Sequence, residues 1–79
     1  MSEKLTIAQL SPGDSAKIVG FSGPTELQSR LVEMGFLPGV LIRLINQSAF
    51  GGPFQLKIRD YYVSLRKIDT ENIIVEKLI

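Results

Sequence analysis

This 79-residue chain has neither histidine nor cysteine, so metal binding would fall to carboxylates and nucleophilic chemistry to hydroxyls. Asp60, Asp69 and Glu71 come nearest to a cation site. A strand separates the first from the other two, however, and no softer ligand accompanies them. They read as solvated turn carboxylates, and neither a metal nor a cofactor is expected. The serines at 11, 15, 22, 29, 48 and 64 have no histidine to act as base, which leaves a serine–lysine pair as the one nucleophilic arrangement still open. Gly51-Gly52-Pro53 and Phe21-Ser22-Gly23-Pro24 match no phosphate-cradling fingerprint, and proline removes a donor N–H that such loops need. No catalytic residue is expected.

Binding chemistry remains. Val19, Phe21, Leu41, Ile45, Tyr62 and Ile74 fall on the nominally outer faces of their strands, and Phe36, Leu37 and Phe50 fall in loops. Cover by the helix, the amino-terminal segment or loop packing accounts for many of them. Any contiguous remainder would mark a protein partner or self-association into a homo-oligomer. Arg43, Lys57, Arg59, Arg66 and Lys67 take outward positions on neighbouring segments and form a second surface, either a solvated face or a nucleic-acid contact.

The scaffold for these groups is a series of short strands punctuated by Gly, Pro, Asp and Asn. Ser15 to Phe21 follows the Ser11-Pro12-Gly13-Asp14 turn signal and turns Ala16 and Ile18 inward, while Leu5, Ile7 and Leu10 pack ahead of it as a flap. Val40 to Gln47 follows Pro38-Gly39, a pair suited to a type II turn, with Val40, Ile42 and Leu44 inward. Phe54, Leu56 and Ile58 alternate with Gln55, Lys57 and Arg59, a period of two that marks a half-buried strand. Asp60 turns this strand into Tyr61 to Leu65, whose Tyr61, Val63 and Leu65 continue the buried face. After a polar Asp69-Thr70-Glu71-Asn72 connection, Ile73 to Lys77 buries Ile73 and Val75.

One helix is expected between Pro24 and Gly35. Thr25 is its N-cap, with Gln28 at capping-box spacing, and Gly35 supplies the left-handed stop. Leu27, Leu31 and Met34 form its apolar stripe, and Glu26 pairs with Arg30 at i,i+4. The fold class is therefore mostly β, a small barrel of about five strands with one α-helix between the first and second, in a single domain spanning 1–79.

Composition limits the partners. Nine basic residues against eight acidic ones leave a net charge of +1, which argues against a dominant attraction to nucleic acid. The polar start Met1-Ser2-Glu3-Lys4 has no signal-peptide core, and no apolar run is long enough to insert into a bilayer, so a cytoplasmic location is expected.

The run Arg30-Leu31-Val32-Glu33-Met34-Gly35-Phe36-Leu37-Pro38-Gly39 resembles the "R-L-x-x-M-G-h-x-P-G" signature of FeoA domains. Leu10-Ser11-Pro12-Gly13, Gly52-Pro53, Ser64-Leu65-Arg66-Lys67 and Ile73-Ile74-Val75 are similar to that family's other segments, in order and over nearly the whole chain. The resemblance implies an SH3-like barrel and a non-enzymatic accessory of bacterial ferrous-iron uptake. Its partner would be the cytosolic GTPase region of the FeoB membrane transporter. Arg30, Leu31, Met34, Gly35, Pro38, Gly39 and Arg66 match the motif. Arg30, Met34, Phe36, Leu37, Phe50 and Arg66 are the candidate partner contacts, with Phe36 and Leu37 serving either as contacts or as a plug for the barrel end. Two departures stand out: Asp60 where similar domains often carry glycine, and the aromatic Phe50 in Ser48-Ala49-Phe50-Gly51. Because it lacks soft ligands, the chain is not expected to carry iron itself, despite the metal binding ascribed to the family.

Overall fold

The computed structural model describes residues 4–78; the polar start Met1-Ser2-Glu3 lies outside the described residues. Six strands form one sheet: β1 (Lys4–Thr6), β2 (Ser15–Phe21), β3 (Leu41–Gln47), β4 (Phe54–Ile58), β5 (Tyr61–Leu65) and β6 (Ile73–Lys77). Their order is β1-β6-β2-β3-β4-β5, every pair antiparallel. The five expected strands are all present. The sixth, β1, lies in the segment read as a flap and places Leu5 opposite Val75. A 3-10 turn at Ile7–Gln9 then drops Ile7 and Leu10 into the core.

Register shifts between Ile18 and Gly20 on β2 and between Leu44 and Asn46 on β3 break the ladders locally. Bulges of this kind bend a strand and increase its twist. The inward residues Ala16, Ile18, Ile42, Leu44, Leu56 and Ile58 share one apolar core with Leu65, Ile73 and Val75. Among the described residues no ladder joins β1 to β5, so core packing, not a final strand pair, holds the sheet's two ends.

Helix α1 (Thr25–Glu33) lies between β2 and β3, as expected, with Leu31 in the core and Leu27 and Met34 packed against it. Its N-cap is Pro24 rather than Thr25: extended at φ −64, Pro24 accepts the Gln28 N–H on its carbonyl, while the Gln28 side chain donates to the Gly23 carbonyl at 2.8 Å. Proline suits this position because it has no N–H of its own to satisfy. A second helix, α2 (Lys67–Glu71), replaces much of the expected polar connection before β6. Asn72 anchors its end, donating from Nδ2 to the Ile68 carbonyl and accepting from the Ser22 hydroxyl. Among the described residues no helix is long and apolar enough to cross a membrane.

The β4–β5 hairpin turns over Arg59 and Asp60, and the left-handed residue is Arg59, at φ +53, rather than Asp60. Tyr61 is also placed differently from expectation. It is 40% exposed, and its hydroxyl reaches back across the molecule to the end of α1.

Candidate docking surface

The loop leaving α1 is built by glycine geometry. Gly35, at φ +100, donates its N–H to the Val32 carbonyl, and Phe36 donates to Leu31. This pair of bonds is a Schellman stop, which brings the residue after the glycine against the helix's last apolar turn. Phe36 accordingly lies in the core with Leu31, at 0% exposure, and offers no surface to a partner. The Tyr61 hydroxyl donates to the Met34 carbonyl at 2.7 Å and completes the cap. A Cβ at position 35 would run into that hydroxyl, so glycine is required here for space as well as for φ.

Leu37 takes the opposite direction and is 39% exposed. Val40 donates to its carbonyl at 3.0 Å across Pro38-Gly39, with Gly39 at φ +92, which closes the expected turn. Gly39 N–H donates to the Ile18 carbonyl and Ile18 N–H to the Val40 carbonyl, at 2.7 and 2.9 Å, tying the turn to β2. Met34 is half-buried and packs against the core.

Arg30 and Arg66 converge on one carboxylate. Asp69, read from sequence as a solvated turn residue, is buried and accepts from Arg30 Nη2 at 2.8 Å and from the Arg66 N–H at 3.1 Å, with Arg66 Nε at 3.6 Å. The expected Glu26–Arg30 pair gives way to this contact because a carboxylate withdrawn from water attracts a guanidinium more strongly than an exposed one does. The two motif arginines therefore join α1 to the start of α2, with the carboxylate between them.

The outer faces sort differently. Val19, Phe21 and Ile74 are half-buried, while Leu41, Ile45 and Tyr62 are exposed. Arg43 lies directly across the ladder from Lys57, and Lys57 from Tyr62, with the Lys57 ammonium 5.7 Å from the Tyr62 ring centre. Arg43, Lys57 and Arg59 line one open groove of about 530 Å³ together with Val40, Leu41 and Leu78. Arg66 does not belong to this face: it follows β5 four residues beyond Tyr62, roughly 13 Å along a strand. At the far end of the β3–β4 hairpin, Phe50 is fully exposed at φ +58. Such a backbone is costly for a bulky residue, so neither burial nor local preference accounts for the aromatic.

Comparison with known proteins gives this geometry a context. A Porphyromonas gingivalis protein described as an Fe(2+) transport protein A/Fe(2+) transporter FeoB fusion is 36% identical over 72 residues, 91% of this chain. The chain spans only 8% of that relative's length. The NMR structure of a FeoA-like protein from Clostridium acetobutylicum superposes with a TM-score of 0.90 at 25% identity, covering 100% of this chain and 92% of its own. The zinc-complexed FeoA of Stenotrophomonas maltophilia, described as a procaryotic SH3 domain protein, gives 0.73 at 21% identity over 90% of this chain and 88% of its own. The fold is thus the SH3-like one. The FeoA domain model itself matches residues 5–77, from the first described strand to the end of the last, and on that extent the chain belongs to the FeoA family.

Proposed function

We propose that this chain, as a single domain over 1–79, is a non-catalytic cytoplasmic accessory of ferrous-iron uptake that binds the cytosolic region of a FeoB-type transporter. The fused Porphyromonas gingivalis relative carries the reading: a segment like this chain and a transporter FeoB share one polypeptide there. Covalent linkage raises effective concentration, often to millimolar for short linkers, and favours modules that work in contact. Leu37 is the proposed centre of the docking surface, with Met34 beside it. It is an exposed apolar side chain on a loop pinned at both ends, so binding would immobilise little that is not already fixed. Phe50 is a second contact at the opposite end of the sheet. Arg30 and Arg66 act through Asp69, as supports of the fold.

Calorimetric titration into the isolated cytosolic region of the transporter, with and without guanine nucleotide, tests this. Saturable binding is expected, with Leu37→Asp weaker by about tenfold or more and an unchanged urea midpoint. No heat from the wild-type protein in either nucleotide state would overturn the reading.

A further inference from the structure

The groove between the start of β3 and the end of β4 combines two features that a solvated strand face does not need. Its floor is aliphatic and open: Leu41 is 56% exposed and Leu78 41%, with Val40 between β3 and the pinned turn. Its wall is cationic, with Arg43, Lys57 and Arg59 present and no acidic residue in the lining. Among the described residues, none of these three cations lies within ion-pair distance of a carboxylate, whereas Arg30, Arg66 and Lys77 all do. Of the nearby acids, Asp14 accepts from the Ser11 N–H and faces Lys77, Glu76 stands across the ladders from Lys17 and Lys4, and the exposed Asp60, next to Arg59 in the turn, makes no ion pair with the groove cations among the described residues.

Arg43 and Lys57 are moreover direct cross-strand partners. Like charges in that relation destabilise a sheet, so the pair lowers stability unless something anionic sits between them. We propose that this groove receives an acidic, extended segment of the protein partner, with one large apolar side chain on the Val40–Leu41–Leu78 floor and carboxylates on Arg43, Lys57 and Arg59. A nucleic-acid strand fits less well, because the floor is aliphatic and offers no aromatic platform for bases. The assignment deepens the docking proposal above and rests on it for the partner's identity, while the chemistry of the segment stands on the groove alone.

The test is a 15N NMR titration of the full chain with three probes: a synthetic peptide of alternating aspartate and glutamate around one leucine, its leucine-to-serine counterpart, and oligothymidylate. The leucine peptide should shift the amides of Gly39 to Arg43, Lys57, Arg59 and Leu78 saturably, with the serine peptide weaker by about tenfold. Lys57→Glu supplies a fold-neutral control. It places opposite charges across the ladder, so its Tm should not fall below that of the wild type while the peptide shifts vanish. Leu41→Ser should weaken the leucine peptide alone. Unmoved groove amides at millimolar leucine peptide would overturn the assignment, as would equal affinity for the leucine and serine peptides or preferential shifts with oligothymidylate. A Lys57→Glu chain that binds the transporter's cytosolic region as well as the wild type would overturn the groove and spare the docking proposal. A wild-type chain that binds the peptide but not that region would do the reverse.

Discussion

Replacing Asp69 by alanine should destabilise the fold more than any other single substitution among the charged residues discussed above. The carboxylate is 7% exposed and accepts from Arg30 Nη2 at 2.8 Å and from the Arg66 N–H at 3.1 Å. The Arg66 bond secures a donor at the start of α2, and losing such a cap costs about 1 kcal/mol. The bond to Arg30 is charge-assisted, nominally about 1.5–3 kcal/mol, but Arg30 is 48% exposed and water can replace its partner, so about 1 kcal/mol is retained. Relief of the carboxylate's desolvation offsets part of the loss. The net expectation for Asp69→Ala is about 1–2 kcal/mol. Arg30→Ala should cost only about 0.5–1 kcal/mol, because Asp69 keeps Arg66. In the Asp69→Ala background the Arg30 change should cost nothing further. The chain has no tryptophan, so urea unfolding followed by far-UV circular dichroism is the assay, with an unchanged m-value. For a domain of this size the corresponding fall in Tm is roughly 5–15 °C. An Asp69→Ala midpoint within about 0.5 kcal/mol of the wild type would refute the account of Asp69 as the link between α1 and α2. An Arg30→Ala loss as large as that of Asp69→Ala would refute the division of energy between its two partners.

Gly35→Ala should cost about 2–3 kcal/mol, from its φ of +100 and the collision with the Tyr61 hydroxyl. The same substitution should cost less in a Tyr61→Phe background, where that oxygen is gone; equal costs in both backgrounds, read from urea midpoints, would remove the steric explanation. Phe36→Ala should cost about 3–5 kcal/mol, since the side chain is wholly buried. If instead it stays as stable as the wild type and only partner binding suffers, Phe36 is a contact and the Schellman argument fails. Arg59→Gly should raise stability by about 0.5–1 kcal/mol by relieving a left-handed backbone at φ +53, with no change elsewhere in the NMR spectrum. Phe50→Gly should raise stability in the same way while weakening any contact made by that loop, and a drop in thermal midpoint would show that the aromatic is packed rather than displayed.

The elements legible in the sequence were those with enough residues to declare a period or a specific turn. Phe54, Leu56 and Ile58 announce β4 by alternation, and Gly35 with Pro38-Gly39 announces the helix stop and turn where both occur. Strand β1 has three residues and helix α2 five, too few for either period to register, so the sequence shows the first only as a packed flap and the second only as a polar connection. Asp69 escapes a local reading for a different reason. Its burial depends on Arg30, 39 residues away, and no local pattern encodes such a partner. Phe36 and Leu37 illustrate the limit at the site itself: adjacent, both apolar and both in a loop, they separate only through the backbone reversal at Gly35. The cations of the groove were readable from strand alternation, whereas the departure of Arg66 toward Asp69 follows from the position of α2.

The two proposed contact regions are mechanically one. Leu37 and Leu41 are four residues apart, and between them Gly39 and Val40 exchange backbone bonds with Ile18 on β2 while Val40 closes the turn on Leu37. Upstream, the Schellman stop fixes Leu37 relative to α1, and α1 is held in turn by Arg30 on Asp69. A partner that engaged Leu37 and the groove together would meet a surface already set in position, and the entropy usually lost in ordering an interface loop would have been lost on folding. The motif residues Arg30, Gly35, Pro38 and Gly39 then have a common task that needs no contact with the partner: holding one exposed leucine and the mouth of a cationic groove in fixed relation. On this argument Asp69→Ala should weaken binding to the transporter's cytosolic region although Asp69 touches nothing outside its own fold, and should do so at temperatures where the chain is still fully folded. Undiminished affinity in that variant would mean that the two regions act independently.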